Sequence, residues 1–403
     1  MPKKEDLEVF VDHSEVLGQH SGHPAEGKSS ALLKLAEGAC DTERDRLPTA
    51  ARDEESHAVV TMQQVADRAR VSISTVSFVV NDTKPVTPAT RERVLQAIAD
   101  LGYRRNSMAR ALASRKTHIL ALIYPMLDHR YPHRFVESAA TTAAEHGYNL
   151  VLWPLHSNNV TSEITSLIQA ALVDGVLLME VQLEDERVAH LRTMEAPFTL
   201  IGRTRELDGI DYVDIDFERT VETAIDDLAA LGHRDLTLVV EDVSGTPLAG
   251  YAPPFRAEQA FGEIVSARRL HGRVFRIGHR AREVTGFADR LLREAPATTA
   301  VLGMHDDVNL ALVNTLPHRG IDVPGDMSIV SLATARSLSE LTEPALTVYE
   351  APGAEVGRAA AEALIARLEG RDAPRAQVLI PCPLHPGGTV AAVRPRARSS
   401  SGS

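Results

Sequence analysis

The stretch TMQQVADRARVSISTVSFVVN at positions 61–81, continued by TPATRERVLQAIADLG at 87–102, decides how the chain begins to fold. Thr61 with Gln64 three residues on forms a capping box, each side chain satisfying the other's orphan backbone donor, so a helix starts here. Val65, Ala66 and Ala69 give that helix one apolar stripe, and it ends before Arg70, Val71 and Ser72. Ser72 can cap a second helix whose Val76, Val79 and Val80 lie on one side. Thr87 caps a third, with Pro88 at its first position, Val94, Ile98 and Leu101 on its buried face and Gly102 as its stop. Two short helices joined by a turn of three residues make a helix-turn-helix. Its second helix turns Ile73, Ser74, Ser77 and Phe78 outward, able to meet base edges, with Thr75 near a phosphate.

Charge is distributed accordingly. The chain of 403 residues carries a formal net charge of -12, which argues against a polyanion partner only if it is evenly spread. Residues 58–118 hold ten Lys and Arg against four acids, a net of +6, on an otherwise acidic molecule. Such asymmetry is expected of a nucleic-acid-binding head. Just beyond it, NSMARALASRK (106–116) offers Asn106 as cap of a short helix, with Leu112 exposed among small residues beside Arg110, Arg115 and Lys116. A helix this short does not persist alone in water, but it can order on DNA with Leu112 wedged into the minor groove.

In order and spacing, VADRARVSISTVSFVVN (65–81), VTPATRERV (86–94), LGY (101–103) and NSMARALA (106–113) resemble the lactose-repressor (LacI/GalR) family. The resemblance implies a transcriptional regulator, most often a repressor, that acts as a homodimer on a palindromic operator in double-stranded DNA. Two recognition helices would enter adjacent major grooves and two hinge helices would meet in the central minor groove. Ile73, Ser74, Thr75 and Ser77 fall on the base- and phosphate-reading positions, with Phe78 where many members carry Arg. Thr61, Ser72, Asn81, Asn106, Ala109, Arg110, Leu112 and Ala113 complete the expected DNA-contacting set.

From 118 to 393 short apolar runs alternate with helical stretches: HILALIY (118–124), NLVLW (149–153), GVLLM (175–179), FTLIG (198–202), LTLVV (236–240), RVFRI (273–277), AVLGM (300–304) and SIVSL (328–332). Repeated strand–helix units predict parallel sheets covered on both faces, with a cleft at the carboxyl ends of the strands. Looser similarities at DGVLL (174–178), LGHRDLTLV (231–239), RGIDVPGDMSIV (319–330) and VGRAAAEAL (356–364) imply the family's periplasmic-binding-protein-type core of two Rossmann-like lobes. The first lobe is expected over about 118–216 with a return segment near 326–345. By the same resemblance Arg256 and Asp306 are the residues expected to bind a small-molecule effector, a sugar by family habit. His305 stands before Asp306 where many relatives have Asn, and Tyr124, Arg130, Tyr131 and Phe135 are candidates from the other lobe. The LHPGGT segment (384–389) replaces one that contains Arg in many relatives. The alternating acids of DYVDID (211–216) fit a strand at a lobe crossover better than a metal site.

The remaining features set boundaries. Residues 1–57 are acidic and aperiodic and read as disordered, as does the tail 394–403; the head spans 58–104, the hinge helix and linker 105–117, and the effector-binding and dimerisation domain 118–393. Only Cys40 and Cys382 are present, so neither a disulfide framework nor a cysteine metal site is expected, and no cofactor is. No apolar run of about 18 residues and no signal-peptide core occur, which predicts a cytoplasmic protein without membrane contact. A solute receptor without a regulatory role would need export and no basic head. No nucleophile elbow, zinc-hydrolase motif or phosphate loop is found, leaving Asp306 with His305 as the sole pair that an enzyme acting on a sugar could use.

Overall fold

The computed structural model describes residues 60–103, 116–125, 133–155, 160–246, 248–371 and 374–394. The expectations for the two termini, for Arg130 and Tyr131, and for the hinge residues Asn106, Ala109, Arg110, Leu112 and Ala113 lie outside the described residues. The chain divides into two compact units, Met1–Arg104 and Arg105–Ser403. No helix among the described residues is long and apolar enough to cross a membrane.

In the first unit, three helices surround one apolar core. They are α1 (Met62–Ala69), α2 (Ile73–Asn81) and α3 (Pro88–Leu101). The capping box forms in full: the Gln64 amide donates to Thr61 Oγ1 at 3.3 Å and the Thr61 amide to Gln64 Oε1 at 2.7 Å. Ser72 and Thr87 accept from the Thr75 and Thr90 amides in the same way. Val65, Ala66, Val76, Val79, Val80, Val94 and Ala97 are buried together, each valine contributing roughly 1.5–3 kcal/mol. Ile98 and Leu101 pack at the edge of this cluster. Arg68 pairs with Asp100 at 2.8 Å, joining α1 to the end of α3.

The second unit holds two six-stranded sheets, ordered β11-β5-β4-β3-β1-β2 and β12-β10-β9-β8-β6-β7. The strands of the first are β1 (Ile119–Pro125), β2 (Asn149–Leu155), β3 (Gly175–Met179), β4 (Phe198–Ile201), β5 (Asp211–Ile215) and β11 (Gln377–Ile380). Those of the second are β6 (Asp235–Glu241), β7 (His271–Ile277), β8 (Ala300–Gly303), β9 (Ser328–Thr334), β10 (Thr347–Glu350) and β12 (Leu384–His385). All pairings are parallel except β10 with β12. Buried on both faces, central strands such as β3 read as unbroken apolar runs.

One topological expectation is corrected. Residues 328–334 do not return to the first lobe; they pair with β8 and β10 inside the second sheet. The strand that returns is β11, docked on β5. Its dock is electrostatic: Asp211, 1% exposed, accepts from Arg367 Nε at 2.9 Å, Arg375 Nη1 at 2.7 Å and the Ala376 amide at 2.7 Å. Burial pushes the Asp211 carboxyl up, but these donors outweigh it and hold the carboxyl below its ordinary value. The other two acids of DYVDID are also structural, Asp214 pairing with Arg203 and Asp216 capping α7 (Phe217–Ala230).

Helix α11 (Gly353–Leu368) lies along α4 (His133–Glu145) at a closeness only glycine permits. A Cβ at Gly357 would sit 2.2 Å from the Phe135 carbonyl oxygen and 2.3 Å from Ser138 Oγ. Gly357→Ala is therefore expected to force the helices apart and cost on the order of 1–3 kcal/mol. The cost should be read as a lower urea midpoint, and an unchanged midpoint would show that the pair adapts. The LHPGGT segment is likewise set by packing: Thr389, fully buried, donates to the Ile329 carbonyl at 2.7 Å and accepts from the Thr347 amide at 2.9 Å.

Candidate functional site

On the head, α2 divides its surface as the sequence predicts. Val76, Val79 and Val80 face the core, while Ser72, Ser74 and Ile73 are exposed, Ile73 to 47%. Thr75, Ser77 and Phe78 are half-buried. Ser72 Oγ lies 2.8 Å from both Ser74 Oγ and Thr75 Oγ1, placing three hydroxyls at the amino end of α2. A helix amino terminus with short hydroxyl side chains favours phosphate oxygens. Phe78 is not a bare apolar contact, because Lys84 Nζ stands 5.0 Å over its ring. Asn81 ends α2, and Thr61 occupies the cap of α1.

In the second unit a cavity of about 460 Å³ opens where the strands of both sheets end. From the first lobe come Met179 at the end of β3 and Glu180 after it, Ile215 at the end of β5 and Phe217 beyond it, and Phe135 on α4. From the second come Glu241 and Asp242 at the end of β6, His279 after β7, Asp306 after β8, and Leu332 and Ala333 in β9. Carboxyl-end placement is where open parallel sheets bind ligands. Backbone bonds tie the lobes together beside it, the Ala252 amide donating to the Val181 carbonyl at 3.1 Å and the Leu183 amide to the Gly250 carbonyl at 2.9 Å.

Asp306 begins α10 (Asp306–Thr315), held at the end of β8 by Asn309, whose Nδ2 donates to the Gly303 carbonyl at 3.0 Å and to Ser331 Oγ at 2.8 Å. Thr334 donates to Asp306 Oδ1 from the neighbouring strand. Phe135 also lines the cavity. His305 does not: it is fully buried, its ring tilted against that of His279 with centroids 4.6 Å apart. Arg256 is likewise absent from the lining. Its Nη2 donates to the Thr204 carbonyl at 3.0 Å and its Nη1 reaches Glu218 at 3.4 Å, so the two terminal nitrogens are engaged by the protein, while Nε is buried without a hydrogen-bond partner among the described residues. Tyr124 lies in β1.

Glu180 was missed. Its backbone is left-handed, φ 54°, a conformation that costs a non-glycine residue about 1 kcal/mol or more and persists at functional sites. Oε2 is buried without a hydrogen-bond partner among the described residues. Burial pushes the carboxyl up to about 7, Arg187 opposing and Glu241 reinforcing the rise. Ala333, across the cavity, is also left-handed at φ 53°. A signal for the missed residues existed: Glu180, Glu241, Asp242 and His279 all stand at or just after the end of an apolar strand run. His279, His305 and Asp307 place donor atoms within 4.8 Å of one another.

The linker side of this unit is equally defined. Asp174 accepts from the Thr117 amide at 2.6 Å, Thr117 Oγ1 at 2.8 Å and the His118 amide at 2.9 Å. The residue before β3 thus grips the chain where it enters the core, while the residue after β3 lines the cavity.

Comparison with known proteins agrees with this build. Residues 61–106 match the model of bacterial regulatory proteins of the lacI family, and residues 225–390 that of the periplasmic binding protein-like domain. Catabolite control protein A of Priestia megaterium is 28% identical over 314 residues, covering 75% of this chain and 90% of the relative. The HTH-type transcriptional regulator PtxS of Pseudomonas aeruginosa is 29% identical over 345 residues, covering 83% and 98%. Among solved structures, a transcriptional regulator CelR–cellobiose complex superposes with a TM-score of 0.59 at 25% identity, covering 82% of this chain and 99% of the other. The lac repressor dimer bound to operator and the anti-inducer ONPF shares the fold with a TM-score of 0.71 at 22% identity, covering 83% and 99%.

A helix-turn-helix head on a two-lobed α/β core with a cavity at its strand ends defines a DNA-binding transcriptional regulator controlled by a small molecule. The relatives are regulators, not enzymes. The chain combines a lacI-family helix-turn-helix domain with a periplasmic-binding-protein-like domain.

Proposed function

We propose that the protein works as a homodimer on a palindromic DNA operator and that a small polar effector in the 460 Å³ cavity changes its grip. Ser72, Ile73, Ser74, Thr75 and Ser77 read bases and phosphates, with Thr61, Phe78 and Asn81 at the edges of the footprint. Asn106, Ala109, Arg110, Leu112 and Ala113 form the minor-groove element, Leu112 as the wedge. Asp306, Phe135, Glu180, Glu241 and His279 form the effector site. Arg256 acts through Thr204 and Glu218 as a positioning residue, and His305 backs His279. Tyr124 and Arg130 remain first-lobe candidates.

The observation that carries this reading is β3. Five residues long, it has the linker anchor Asp174 before it and the cavity residue Glu180 after it. Any shift of β3 on effector binding moves the segment that leads to the hinge. Coupling of this kind is reciprocal, so an effector that loosens DNA binding is itself bound less tightly by the DNA complex. The lac repressor dimer bound to its operator and the CelR–cellobiose complex support the same arrangement by likeness.

The test is selection of duplexes from a random pool by the full chain. Enrichment of a palindrome of roughly 14–20 base pairs, with half-sites about one helical turn apart and a flexible pyrimidine–purine step at its centre, is expected. A pool that yields asymmetric sites, or none with or without metabolite extract, would overturn the dimeric reading.

A further inference from the structure

Relative to an ordinary sugar site, the cavity has an unusual charge. Four carboxylates line it, Glu180, Glu241, Asp242 and Asp306, and no Lys or Arg does among the described residues. The nearest cations belong to other anions. Arg187 forms a two-point pair with Asp185 at 2.9 and 2.7 Å. Arg203 is held by Asp214 at 2.9 Å and by Glu218. Arg256 is engaged by the Thr204 carbonyl and Glu218. His279 faces Glu241 and Asp307, each at 3.6 Å. Three aromatic rings, Phe135, Phe217 and Tyr251, complete the wall.

We infer that the effector is a small organic cation, a ligand bearing a protonated amine that meets Glu180 and its neighbouring carboxylates against the aromatic wall. The inference rests on reading this cavity as the effector site. Like charges gathered in one partly dry cavity repel, and a ligand that brings the opposite charge relieves them all at once. An anionic ligand such as a phosphorylated sugar would add to the repulsion. A neutral sugar would donate hydroxyls to a carboxylate oxygen or two and leave the net negative charge of the lining uncompensated. Aromatic faces within about 6 Å of an ammonium add further attraction in a desolvated site. Half-buried, left-handed in its backbone and lacking a hydrogen-bond partner for its buried Oε2, Glu180 is the group with most to gain.

One ring in three charge states makes the test. Calorimetric titration of the full chain with glucosamine, glucose and glucose 6-phosphate, with choline as an amine lacking the ring, compares charge at nearly constant shape. Tighter binding of glucosamine or choline than of glucose, by at least tenfold, and no binding of the phosphate ester are expected. Glu180→Gln should weaken the amine by tenfold or more while leaving any weak glucose binding unchanged. Tighter binding of glucose or of its phosphate would overturn the inference, as would failure of both amines to bind at 20 mM, an amine concentration on the order of the weakest affinity worth calling specific. The effector reading fails differently: an amine that binds and is lost in Glu180→Gln, yet leaves operator affinity unmoved, would keep the cation site and remove its regulatory role.

Discussion

Glu180→Gln is expected to raise the melting temperature of the ligand-free protein at pH 8 and to leave it unchanged at pH 4. The carboxyl stands at about 7 in the folded chain against an ordinary 4.5. Below the ordinary value it is protonated in both states, and the substitution changes little. Between the two values the folded state holds a proton that the unfolded state has released, so wild-type stability falls as pH rises. Above about 7 the full cost of ionising a buried carboxylate is present. That cost is on the order of 3 kcal/mol at 1.36 kcal/mol per unit. Glutamine has the shape of the protonated form and never ionises, so it escapes the cost. For a unit of this size the gain corresponds to roughly 5–10 °C. Burial sets the value first; of the charged groups facing Glu180, Arg187 lowers it and Glu241 raises it. Thermal melts of both proteins from pH 4 to pH 8 check this. A difference that stays flat across the range would mean that Glu180 is solvated and unstrained electrostatically, and the cavity's charge argument would lose its centre.

The same residue shows where a sequence stops speaking. Caps and periodicity exposed the head almost completely, because Thr61, Ser72, Thr87 and Gly102 act within three or four residues of themselves. Buried parallel strands were legible for a related reason: two covered faces leave an unbroken apolar run, as in GVLLM. Strands β11 and β12 were not, since QVLI is a largely exposed edge and LH is two residues long. The position of β9 was misjudged because an apolar run carries no label of the sheet it joins. Asp306, expected by resemblance, and Phe135, expected from its place after the first strand, both line the cavity. Arg256 was expected on a ligand, but whether a guanidinium is free depends on a carbonyl 52 residues away in sequence and a carboxylate 38 away. Glu180 reads as a solvated strand end until folding brings Glu241 from the other lobe toward it.

The geometry also narrows how a ligand signal can travel. In the second unit Asp174 fixes Thr117 and His118 through three hydrogen bonds to one carboxylate, and Lys116 Nζ approaches the Leu368 carbonyl at 3.4 Å. The linker's entry point therefore belongs to the first lobe. Motion of that lobe, not of the second, is what the hinge segment would feel. A ligand that draws Glu180 toward Asp306 pulls on the strand that carries the anchor.

Leu112→Ala is expected to give the other large effect, on DNA and not on folding. Residues 106–113 hold one large aliphatic side chain in a run otherwise of small and polar groups, apart from Met108 and Arg110. Inserted between base steps, Leu112 would be stripped of water and would hold the duplex bent so that each half-site meets its recognition helix. Truncation removes roughly 1.5–3 kcal/mol of apolar burial, and with it part of the bend. Affinity for the selected palindrome should fall about a hundredfold. Affinity for a scrambled duplex should hardly change, because that complex rests on phosphate contacts from Lys and Arg. For the same reason the slope of affinity against salt should be the same for wild type and variant on scrambled DNA. Fluorescence anisotropy on both duplexes across a salt series separates the terms. Equal losses on the two duplexes would point to a damaged fold or a lost phosphate contact, and an intact affinity for the palindrome would remove Leu112 from the interface altogether.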